Sequence, residues 1–92
     1  MLLSSYFYLG NFQEALNAHQ KALDIRRELF GEKHLGTADS YSWLGITYSR
    51  LGDKNKAVEY LQKAIDIARQ KLGENHQTTR QYIQILQQIQ AQ

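Results

Sequence analysis

Slid against itself by 42 residues, the chain is identical at sixteen of fifty aligned pairs. The matches include Tyr6/Tyr48, Leu9/Leu51, Gly10/Gly52, Ala15/Ala57, Lys21/Lys63, Ala22/Ala64, Ile25/Ile67, Arg27/Arg69, Gly31/Gly73, Glu32/Glu74, His34/His76 and Thr37/Thr79. Most fall at turn residues and at apolar positions, where a structural copy has to match. A chain built this way must stack copies of one small unit, because a single unit cannot bury its own apolar face.

The unit is legible in its complete copy. Tyr41, Leu44, Gly45 and Tyr48 stand at i, i+3, i+4 and i+7, which puts a stripe on one face of a helix. Leu51-Gly52-Asp53 ends that helix, since Gly accepts the left-handed conformation and Asp can cap the next start. Ala57, Val58, Leu61, Ala64, Ile65 and Ala68 form the stripe of a second helix, with small residues where the two axes approach. Helices are predicted over about 35–51, 54–72 and 77–90. An earlier one runs from about 12 to Phe30, with Ala15, Leu16, His19, Ala22, Leu23 and Phe30 inward. Asn11 and Glu14 form its capping-box pattern, and residues 1–9 read as the tail of a truncated first helix.

Composition excludes several classes. There is no proline, which suits helix, and no cysteine, which removes disulfides and thiolate metal sites. No window approaches the roughly 20 apolar residues of a membrane span, and MLLSSYFYLG reads as helix, not as a signal peptide. A net charge of +2 is too small to argue for nucleic acid or a membrane surface. The compartment leans to the cytoplasm. No Ser-His-acid spacing and no Gly-rich phosphate loop is present, so neither an enzyme nor a cofactor is implied. His34 and His76 read as loop residues making local cap hydrogen bonds, with no metal site, and His19 as a packed core residue.

The run Tyr41-x-x-Leu44-Gly45-x-x-Tyr48, then Gly52, Ala57-x-x-x-Leu61 and Ala64, resembles the tetratricopeptide repeat. The 42-residue period and the connectors Phe30-Gly31-Glu-Lys-His34 and Leu72-Gly73-Glu-Asn-His76 look like the kinesin light chain type. The resemblance implies an all-α fold, antiparallel hairpins stacked as a short right-handed superhelix of about five helices. Residues 1–92 form a single domain: a truncated first repeat (1–34), a complete second (35–76) and a capping helix (77–92). Gln87 and Gln90 stand in that last helix where Gly45 and Tyr48 sit, which makes it polar. Proline is missing after each connector His, and the column where kinesin light chains often carry Asn holds Met1, Trp43 and Ile85.

The resemblance further implies a non-catalytic module binding a protein or peptide ligand on its concave face. By position that face holds Phe7, Tyr8, Asp39, Ser42, Trp43, Ile46, Ser49, Arg50, Gln81, Gln84 and Gln88. One arginine does not make a carboxylate clamp; apolar anchors with amide hydrogen bonds suit this set better. Trp43 either packs on Ile85 or stands exposed as an anchor. The alternative is a structural element that self-associates through its open N-terminal end, where Phe7 and Tyr8 of two chains would meet in a homodimer.

Overall fold

The computed structural model describes residues 12–92. Four helices follow one another: α1 (Phe12–Phe30), α2 (Leu35–Arg50), α3 (Lys54–Leu72) and α4 (Gln77–Gln90), with no strand among the described residues. The expected helix over 1–9, its break at Gly10 and the Asn11 cap lie outside them.

Each break is made by the residues that predicted it. Gly31, Gly52 and Gly73 have φ of 89°, 87° and 93°, a region that a Cβ disfavours. After Gly31, the His34 Nδ1 accepts from the Gly36 amide at 2.9 Å and so caps α2. His76 repeats this, accepting from the Thr78 amide at 3.1 Å. A threonine one turn inside each helix reaches back: Thr37 Oγ1 donates to the Gly31 carbonyl at 2.8 Å, and Thr79 Oγ1 to the Gly73 carbonyl at 2.9 Å. Between α2 and α3, Asp53 Oδ1 accepts from the Lys56 amide at 3.1 Å. The His34, His76 and Asp53 bonds satisfy amide donors that a helix start otherwise leaves open, and the threonine bonds satisfy carbonyls at the preceding turn.

Each helix packs chiefly on its neighbours in the chain, α2 on α3 most extensively, and α2 touches α4 only lightly. The α2–α3 approach is close because Gly45 has no side chain. A Cβ there would lie 2.8 Å from Leu61 Cγ and 3.1 Å from the Ala57 carbonyl oxygen. The core joins Leu23, Ala38, Tyr41, Leu44, Ala64, Ile65, Ile67, Ala68 and Tyr82, with Ala57, Leu61 and Ile89 in an adjoining cluster. Tyr60 stacks on both Tyr41 and Tyr48, at 5.8 and 5.5 Å between centroids, and Lys63 lies over Tyr41 and Tyr60.

One inward assignment fails. Ala15, His19 and Leu23 are buried and Leu16 and Ala22 half-buried, but Phe30 is 52% exposed. Its ring stacks on His34 at 4.5 Å, so the connector holds it at the surface, not in the core. Gln87 and Gln90 are exposed, as a polar α4 requires.

Candidate protein-binding face

With α3 packed against both α2 and α4, the remaining faces of α2 and α4 lie side by side. Asp39, Trp43, Ile46 and Arg50 follow one another along α2, and Gln81, Ile85 and Gln88 along α4, at spacings that keep each series on one helix face.

At the C-terminal end of α2 the two rows border an open cleft of about 330 Å³, lined by Ile46, Ser49, Arg50, Ile85, Gln88, Ile89 and Gln92. Three isoleucines supply its apolar part, with Ile89 buried and Ile46 and Ile85 half-buried. The end of the chain is tied over one edge. Lys54 Nζ donates to the carbonyls of Gln90 and Gln92, each at 3.0 Å, and Ser49 bonds Gln92 at 3.3 Å. Arg50 is exposed and makes no ion pair among the described residues.

Toward the start of α2 stands Trp43, 41% exposed, its ring parallel to His19 at 5.5 Å. His19 is buried, and its Nε2 has no hydrogen-bond partner among the described residues. Burial lowers the His19 pKa; the Asp39 carboxylate opposes this and Arg26 adds to it. The neutral imidazole therefore serves as a flat support for the indole. Asp39 pairs with Arg26 at 3.6 Å, and Arg26 also donates to Ser40 Oγ at 3.0 Å.

Other expected residues are placed differently. Ser42 is 4% exposed, and its hydroxyl donates to the Asp39 carbonyl at 2.8 Å beside the Tyr82 hydroxyl, so it serves packing and offers little to a ligand. Tyr82 occupies the column of Ser40 and covers Ser42 from α4; burial raises its pKa. Gln81 and Gln84 border a separate polar hollow of about 480 Å³ with Asn75, Gln77 and Arg80, leaving only Gln88 on the isoleucine cleft. Phe7 and Tyr8 lie outside the described residues. Ile85, Ile89 and Gln92 belong to the cleft but not to the expected set. The signal for Ile85 was its place in the column of Trp43, whereas Ile89 falls in the column of Thr47, which is buried.

Residues 4–70 match the family model of the tetratricopeptide repeat. The chain belongs to the tetratricopeptide repeat family. Its four described helices, paired by tight turns and stacked in chain order, are the hairpin stack that this family forms. A search of curated proteins finds no match. Tetratricopeptide domains generally mediate protein–protein interaction. Among the described residues no group of three His, Asp or Glu is placed to hold a metal ion, and no helix is long and apolar enough to cross a membrane.

Proposed function

We propose that this tetratricopeptide domain, of the 42-residue kinesin light chain type, is a non-catalytic module of the cytoplasm. It binds a peptide or protein segment along the α2–α4 face, which forms the concave side of the stack. The observation that carries this reading is the isoleucine cleft with Arg50 at its rim and Trp43 farther along the same helix. An apolar side chain enters between Ile46, Ile85 and Ile89, and glutamine and serine groups at the edges accept backbone hydrogen bonds. Trp43, held flat by His19, adds a rigid aromatic contact at small entropy cost.

The test is selection of random 12-residue peptides on the immobilised chain, followed by affinity measurement. Trp43→Ala with Arg50→Ala weakens the selected peptides at least tenfold and leaves the helical circular dichroism unchanged. Peptides that bind the double variant as tightly as the parent overturn the assignment. Sedimentation at tens of micromolar separates this reading from self-association through Phe7 and Tyr8, which predicts a mass that rises with concentration.

A further inference from the structure

The row of side chains along α2 carries opposite charges at its two ends. Asp39 stands at one end and Arg50 at the other, with Trp43 and Ile46 between them on the same helix face. Across from this row α4 presents Gln81, Ile85 and Gln88. The one charged residue of α4, Arg80, borders the separate polar hollow. The sequence of residues 1–11 contains no Asp, Glu, Lys, Arg or His, so it brings no further charged side chain.

Both charges keep capacity for a ligand. Arg50 is exposed and makes no ion pair among the described residues. Asp39 is half-exposed, and its Oδ2 lies 3.6 Å from Arg26 Nη1. That nitrogen already gives its two hydrogens elsewhere, to the Gly36 carbonyl at 3.2 Å and to Ser40 Oγ at 3.0 Å. The pair is therefore Coulombic, without a hydrogen bond. The Tyr82 hydroxyl beside Asp39 has one hydrogen to give, whereas a carboxylate accepts about four. Room is left for a cationic donor.

The two ends also fix a length. Asp39 and Arg50 belong to one helix, which separates them by about 16 Å at roughly 1.5 Å per residue. An extended peptide advances about 3.3 Å per residue, so about five residues cover that span. Resting on the peptide-binding reading of this face, we infer that the bound segment carries a basic residue at Asp39 and an acidic residue about five positions away at Arg50, with its apolar anchors between them. Trp43 and the isoleucine cleft supply the grip, and the charges set the direction in which the segment lies. A reversed segment brings like charges together at both ends, which disfavours it. Arg50 is the stronger determinant, since Arg26 already offsets part of the Asp39 charge.

The probes are four pools of phage-displayed 12-residue peptides, each with two fixed charges five residues apart and no other charged side chain. The fixed pairs are Lys then Glu, Glu then Lys, Lys with Lys, and Glu with Glu. The parent chain enriches one mixed pool over both like-charge pools by about threefold to tenfold, the scale of exposed ion pairs. This preference fades as salt is added. Arg50→Glu moves the enrichment to the pool with two lysines and leaves the helical circular dichroism unchanged. Asp39→Asn, which keeps an acceptor for Tyr82, relaxes the choice at one end only and by less. Placing the charges two residues apart removes the preference. If the selected peptides need Trp43 yet all four pools are enriched alike, the charge order is overturned and peptide binding stands. An unchanged preference in Arg50→Glu overturns it as well. If no pool yields a binder, both readings fall.

Discussion

The connectors Gly31–His34 and Gly73–His76 make the same backbone bonds among different neighbours. In both, glycine turns the chain, histidine caps the next helix and threonine returns a bond to the glycine carbonyl. What surrounds them differs. At the first, the buried Tyr41 hydroxyl accepts from Arg27 at 2.9 Å and bonds Glu32, while Arg27 and Glu32 pair at 3.0 Å. At the second, Ile83 stands in the column of Tyr41, and Arg69 and Glu74 pair at the surface without a hydroxyl between them. The turn is therefore specified locally, and the side chains around it are free to vary with the helix that packs there. The same division separates α3, covered on two sides, from α1, whose Ile25 and Leu29 face solvent.

The largest expected effect breaks the equivalence of the copies. Ala64→Leu loses about 1–3 kcal/mol in chemical unfolding, because the fully buried Ala64 has no room for added methylenes. Ala22→Leu, at the half-buried equivalent, costs at most about 0.5 kcal/mol. Equal losses would mean that the two hairpin faces are covered alike. Next come the caps. His34→Ala and His76→Ala each cost about 0.5–2 kcal/mol, the range for loss of an N-cap acceptor, and differ little from each other. A large difference between them would show that the surroundings, not the shared bonds, hold the turns.

Much of this was legible in the sequence because repetition marks structure twice. The starts of α2, α3 and α4 at 35, 54 and 77 follow from glycine, aspartate and histidine whose roles are local, and α2 ends one residue before its expected end at Leu51. Phe30 was misplaced since its apolar character says nothing of the His34 ring that holds it outside. Ser42 was misplaced because its burial depends on Tyr82, which replaces Ser40 in the next copy and has no precedent there. Helical spacing put Gln81, Gln84 and Gln88 on one face of α4, but it could not show that two separate hollows divide them.

The smallest expected effect concerns His19, where the second copy carries Leu61. Its pKa is lowered by burial from 6.5, so the folded state favours the neutral ring. The unfolded chain takes up the proton first as the pH falls. The stability it contributes is thus present above about pH 6.5 and is lost as pH drops through the lowered folded value. His19→Leu flattens this part of the profile of melting temperature against pH; an unchanged slope between pH 7 and 5 would assign it to other groups.

The central claim is that a ligand occupies the face shared by α2 and α4. Amide chemical-shift mapping with a library-selected peptide tests it most directly. The account predicts that the largest shifts cluster at Trp43, Ile46, Arg50, Ile85 and Gln88. Shifts confined to the side of α3 that carries Lys56 and Lys63 would contradict it.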